Sequence, residues 1–93
     1  MIEETFDIDG TTYVVLRTRE QADELVSDED IEGALGWFTD KRGVPAEEFM
    51  DRLCPGYLPD GRRYEVDNFD DPAAKRILSR ARKIKREMDE SLD

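Results

Sequence analysis

The chain has no histidine, a single cysteine and no apolar run approaching the length of a membrane span. The missing histidine excludes a histidine general base, a histidine-activated nucleophile and a histidine-ligated metal. One cysteine, Cys54, cannot form an internal disulfide or a thiolate metal cluster, and its solitude fits a reducing compartment. The acidic, alternating start MIEETFDIDG is not a signal peptide. No membrane association is expected, and the expected location is the cytoplasm.

Other chemical vocabulary is missing too. Gly33 and Gly36 fall within a helical pattern, not between a strand and a helix, so there is no phosphate-cradling loop. Asp28–Asp30 lack the alternating oxygen spacing and central glycine of a calcium loop. Carboxylate pairs such as Glu47/Asp51 and Asp67/Asp70 occur, but 24 acids make close pairs inevitable. Cys54 lies near Arg52, yet it continues the apolar side of its helix, which argues for packing over thiol chemistry. The chain is expected to be non-catalytic, with no cofactor and no metal.

What is present in abundance is charge. Of 93 residues, 41% are charged, and acids outnumber bases 24 to 14 for a net charge of −10. So small a chain hides only about 60–65% of its unfolded surface on folding, and a thin core is expected. The excess charge would repel a phosphate backbone, which disfavours free nucleic acid as a partner of the whole molecule. Asp exceeds Glu 13 to 11 and Arg exceeds Lys 10 to 4. A high-salt organism or a GC-rich genome would produce this composition without any binding role. Eight aromatic residues and clear periodicity argue against disorder.

Residues 2–17 read as a β-hairpin turning on Asp9-Gly10, a type I′ pair that sets Ile8 opposite Thr11, Phe6 opposite Tyr13 and Glu4 opposite Val15. Phe6, Ile8, Tyr13 and Val15 then share one face, while Val14 and Leu16 occupy the other, so the second strand is expected inside a sheet. Short helices follow over about 19–38. Thr18 and Gln21 form a capping box for the first, and Ser27 caps the second ahead of Asp28, Glu29 and Asp30. The stripe Ile31, Ala34, Leu35, Phe38 has helical spacing. Gly33 and Gly36 weaken that helix and imply something packed closely against them.

A further helix is expected over about 45–54, with Pro45 at its first position and Phe49, Met50, Leu53 and Cys54 buried. Pro59-Asp60-Gly61 points to a second hairpin over 57–66, with Tyr64 and Val66 on one face. Asp70 or Asp71 opens a long C-terminal amphipathic helix over about 72–91. Its apolar side is Ala73, Ala74, Ile77, Ala81, Ile84, Met88 and Leu92, with Leu78 at the margin. The expected fold is a small single α+β domain. A twisted antiparallel sheet of one or two hairpins would be packed by short central helices and the terminal helix.

Three features carry functional weight. The acids Asp23, Glu24, Asp28, Glu29, Asp30 and Glu32 are dense enough to face a basic partner, although solvation and helix-dipole complementarity are the commoner reason for such a run. Trp37 points about 120° off its helix's packing stripe. It reads as an interface anchor or as a residue buried under a loop. The bases Lys75, Arg76, Arg80, Arg82, Lys83, Lys85 and Arg86 spread round the terminal helix away from its stripe. Residues 1–72 carry −13, 73–86 carry +7 and 87–93 carry −4, so this helix is the natural counter-charge of an acidic body. Its bases are either solvated and paired to that body, or bound to nucleic acid, or docked in trans, including in a homodimer through this helix. The expected function is that of a small binding or regulatory protein working by protein–protein contact with a partner that has a basic surface. The alternative is a nucleic-acid-associated accessory protein using the basic helix.

Overall fold

Asp9 and Gly10 both have positive φ, 51° and 82°, the geometry a two-residue type I′ turn requires. They join β1 (Glu4–Ile8) to β2 (Thr11–Leu16) in the expected register: Ile8 opposite Thr11, Phe6 opposite Tyr13, Glu4 opposite Val15. The computed structural model describes residues 4–36 and 43–91, and Trp37, Phe38 and Leu92 lie outside them.

After β2 the chain enters α1 (Arg19–Leu25). Its capping box is complete: Thr18 accepts from the Gln21 N–H, and the Gln21 side chain accepts from the Thr18 N–H. Ser27 Oγ accepts from the Asp30 N–H and opens α2 (Asp28–Gly36). Ile31 and Leu35 are buried on the expected stripe. Gly33 and Gly36 differ from expectation, since among the described residues nothing stands within 4 Å of where a β-carbon would sit on either. They are unfavourable helix residues without a packing reason among the described residues.

The helix expected over 45–54 is divided in two. Pro45 caps it from outside with extended backbone (φ −61°, ψ 149°) and does not occupy its first turn. A 3₁₀ turn, Ala46–Phe49, then leads into a single α turn, α3 (Met50–Leu53). Phe49, Leu53 and Cys54 are buried as anticipated, and Met50 is partly so.

The second hairpin is short. β3 (Gly56–Tyr57) pairs with β4 (Arg63–Val66). Leu58 N–H donates to Arg62 O at 2.7 Å, and Gly61 N–H donates to Leu58 O at 3.0 Å. With Gly61 at φ 93°, this is a three-residue loop ending in a left-handed glycine.

The α+β class stands, but the sheet is not wholly antiparallel. Its order is β1-β2-β4-β3, and the central pair β2–β4 is parallel, which joins the two hairpins into one mixed sheet. The chain between Leu16 and Arg63 makes the crossover, and its helical elements cover one face. Into that layer point Val14 and Leu16 from β2 and Tyr64 from β4, to pack with Ala22, Val26, Ile31, Leu35, Phe49 and Leu53. The terminal helix, α4 (Pro72–Ser91), completes the layer, contributing fully buried Ala73, Ile77 and Ala81. Ile84, Met88 and Leu78 are partly buried against the same core. Among the described residues no helix is long and apolar enough to cross a membrane.

Candidate functional site

The distribution of charge on this fold is decided by α4. Four of its seven bases are engaged with the rest of the chain or with the helix itself. Arg76 Nε meets Asp23 Oδ1 at 2.6 Å. Arg80, whose side chain is only 14% exposed, reaches the junction of α1 and α2. Its Nη1 donates to Ala22 O at 3.0 Å, its Nη2 to Val26 O at 2.7 Å, and both Nε and Nη2 to Asp28 Oδ1. Since α1 has no basic residue in its last turn, Arg80 supplies the cation for its carbonyl end from another helix. Arg82 pairs with Glu47 in the 3₁₀ turn. Lys85 differs from its expected place on the basic face: it is 5% exposed and donates to Asp89 Oδ1 at 2.6 Å. Asp89 in turn accepts from the Gly43 N–H through Oδ2.

Lys75, Lys83 and Arg86 form no ion pair among the described residues, and all three are exposed. Hydrogen bonding to Arg76 holds the Asp23 carboxyl below the usual carboxylate range. Glu47 is lowered first by its own backbone N–H and then by Arg82.

The acids divide correspondingly. Asp23 and Asp28 are committed to α4. Glu24, Glu29 and Glu32, with Glu20 one turn before Glu24, are exposed and carry no ion pair among the described residues. They form a carboxylate surface on α1 and α2 that the basic helix does not neutralise. Asp30 is separate again. It is partly buried, and its Oδ2 is buried without a hydrogen-bond partner. Trp37 lies outside the described residues.

Two features escaped the sequence. The first is a row across the sheet face opposite the helices. The strand registers align Phe6, Tyr13, Arg63 and Tyr57. Phe6 and Tyr13 stack with ring centroids 5.2 Å apart, and the Arg63 guanidinium lies 5.7 Å from the Tyr13 ring and 4.7 Å from the Tyr57 ring. Tyr57 is 59% exposed and Ile8, on the same face, 49%. Only the Phe6–Tyr13 half was legible, because the other half requires the parallel β2–β4 pairing.

The second feature is a cleft of about 370 Å³ where α2 approaches the β3 edge. Glu29, Asp30 and Ala34 form one wall, with Arg52, Tyr57 and Arg63 on the other side. Nearby Cys54 packs in the core, and burial pushes its thiol up to about 12, so it is no nucleophile.

No known protein family, curated protein or solved structure matches the chain.

Proposed function

We propose that this is a small, non-catalytic binding protein that works by protein–protein contact, presenting the α1–α2 carboxylates to a partner with a basic surface. The observation that carries this is the selective pairing by α4. The helix takes up Asp23 and Asp28 and leaves Glu20, Glu24, Glu29 and Glu32 exposed on two adjacent helices. Such an array steers a basic partner by long-range attraction and sets its orientation more than it supplies raw affinity. The same pairing weakens the case for nucleic acid, since it leaves three exposed bases without an ion pair among the described residues, on a helix docked against an acidic body.

The test is affinity capture from native lysate at low and high salt, with wild type beside a variant carrying Glu20→Lys, Glu24→Lys, Glu29→Lys and Glu32→Lys. A partner retained at low salt by wild type and lost by the variant is the expected result. Equal capture by both proteins would remove the acidic surface from the account. A salt-sensitive shift of DNA or RNA, abolished by Lys75→Glu, Lys83→Glu and Arg86→Glu together, would replace it with the nucleic-acid function.

A further inference from the structure

Helices cover one face of the sheet and leave the other open among the described residues. Strand alternation sends Val14, Leu16 and Tyr64 into the core, so the residues between them point the opposite way. The registers lay two rows across this open face. One is the aromatic row of Phe6, Tyr13, Arg63 and Tyr57; the next, two residues along the strands, is Glu4, Val15 and Glu65. Tyr57, 59% exposed, and Ile8, 49% exposed, present large apolar side chains to solvent on this side.

The open face carries little of the chain's charge. On it and at its rim three acids, Glu4, Glu65 and Asp67, stand against two bases, Arg17 and Arg63, whereas the whole chain is at −10. Arg17 engages two of the acids, bonding Glu4 through Nε and Nη2 at 3.1 and 3.0 Å and Asp67 through Nη1 at 2.6 Å. One base and one acid remain. Neither Arg63 nor Glu65 has an ion pair among the described residues, although they lie two apart on the same side of β4. Arg63 is instead aligned across the strands, with its guanidinium against the Tyr13 and Tyr57 rings.

Such a remaining pair is self-complementary. Consider a twofold axis in the plane between two facing sheets, crossing the strands at the level of Val14 and Tyr64. It reverses strand direction in the second copy and sets Arg63 of each copy opposite Glu65 of the other, two reciprocal pairs from one operation. On β2 the same operation sets Tyr13 over the floor formed by Val15 of the second copy, so apolar groups flank the charges. A nucleic-acid strand suits this face less well, because stacking needs free ring faces and a path of cations. Here Phe6 and Tyr13 stack on each other, and the one cation without an ion pair lies against two rings.

We propose that this protein forms a twofold homodimer through the open sheet face, held by the aromatic row and by reciprocal Arg63–Glu65 pairs. The helical layers then lie outermost, so the two α1–α2 carboxylate surfaces point away from each other and stay exposed. Four strands about 4.8 Å apart and about five residues long at about 3.3 Å each present roughly 300 Å² in projection, at the small end of specific interfaces. The dimer is therefore a dynamic one, with a dissociation constant on the order of 10–100 μM.

Sedimentation velocity of the intact chain from about 5 to about 500 μM spans that range and tests the proposal. A reversible monomer–dimer equilibrium is expected. Glu65→Arg, which leaves the aromatic row intact, and Arg63→Glu should each weaken it about tenfold by setting like charges opposite. Combining the two restores opposite signs and should recover at least about threefold relative to Arg63→Glu alone. Thermal melts at monomeric concentration establish that each variant folds, and Glu65→Arg carries the test by itself if Arg63→Glu does not. Raising NaCl from about 0.05 to about 0.5 M should strengthen the dimer by screening the repulsion between two acidic chains. A monomer at every concentration, or a dimer indifferent to Glu65→Arg, would overturn the proposal. A dimer abolished by Lys75→Glu with Lys83→Glu would move the contact to α4 and overturn it too. Binding of single-stranded oligothymidine, lost with Tyr57→Ser, would give the face to nucleic acid instead.

Discussion

Removing the Arg80 head group is the sharpest test of how this fold holds its terminal helix. Arg80 donates to two main-chain carbonyls at the end of α1 and to Asp28 at the start of α2, from a side chain that is only 14% exposed. The Asp28 side chain is 72% exposed, so that pair alone contributes little, about 0–1 kcal/mol. The carbonyl contacts weigh more, since a hydrogen bond from a charged donor contributes about 1.5–3 kcal/mol. Ala22 O keeps the Val26 N–H at 3.1 Å, which limits its loss, whereas Val26 O gives up its charged donor.

Arg80→Met, which retains most of the apolar stem, should therefore cost about 2–3 kcal/mol. Arg80→Ala should cost somewhat more through lost packing. Arg80→Lys should cost about 1–2 kcal/mol, because an ammonium cannot reproduce the fork that spans two carbonyls and a carboxylate. The assay is urea unfolding followed by far-ultraviolet circular dichroism, with exposed Lys83→Ala as the control. For a chain this short, 2–3 kcal/mol corresponds to a fall in Tm of roughly 10–20 °C. If Arg80→Met stays within about 0.5 kcal/mol of wild type, the capping role is wrong. If its deficit disappears in about 1 M NaCl, the contribution is screened surface charge and not a buried cap.

Three other perturbations probe separate parts of the fold. Gly56→Ala would place a β-carbon 2.5 Å from Tyr64 Oη and 2.7 Å from its Cε1 and Cζ, beside a ring that is 2% exposed and whose hydroxyl donates to Leu53 O. It should cost about 1–3 kcal/mol in urea unfolding, and an unchanged midpoint would contradict the close approach. Gly33→Ala should instead gain about 0.5–1 kcal/mol, since the added methyl meets nothing within 4 Å among the described residues in a helix that glycine weakens; a loss of stability would contradict that open surface. The pH dependence follows from Asp23 and Glu47, whose folded carboxyls titrate below their ordinary values of 3.8 and 4.5. Their contribution is complete above the unfolded values and is lost as pH falls through the folded ones. Urea midpoints measured from pH 6 downward should hold steady to about pH 5 and then decline, less steeply in Asp23→Asn with Glu47→Gln. A midpoint unchanged to pH 3 would refute those pairings.

Much of the local structure could be read from local rules. The Asp9-Gly10 turn, the Thr18–Gln21 capping box, the Ser27 cap and the apolar stripe of α4 each depend on residues within a turn or two of one another. Short-range backbone and side-chain chemistry was enough to place them. The left-handed Gly61 likewise follows from Pro59-Asp60-Gly61. Where the local rule misled, tertiary context was responsible: Gly33 and Gly36 have no close neighbour among the described residues, and Lys85 turns from the basic arc to Asp89.

What only the tertiary structure decided is how distant segments meet. The parallel pairing of β2 with β4 depends on a crossover of more than forty residues, for which no short-range pattern exists. That pairing brings Arg63 beside Tyr13 and completes the row from Phe6 to Tyr57. The docking of α4 decides which bases are consumed, by setting Arg76 and Arg80 against acids more than fifty residues away. Composition alone determined that the chain is acidic with one basic helix. Packing determined that much of this helix's charge is spent within the molecule, leaving Glu20, Glu24, Glu29 and Glu32 exposed on α1 and α2. The physical reason is that an ion pair or a cleft is a property of positions in space, and sequence separation carries almost no information about those positions until the core has closed.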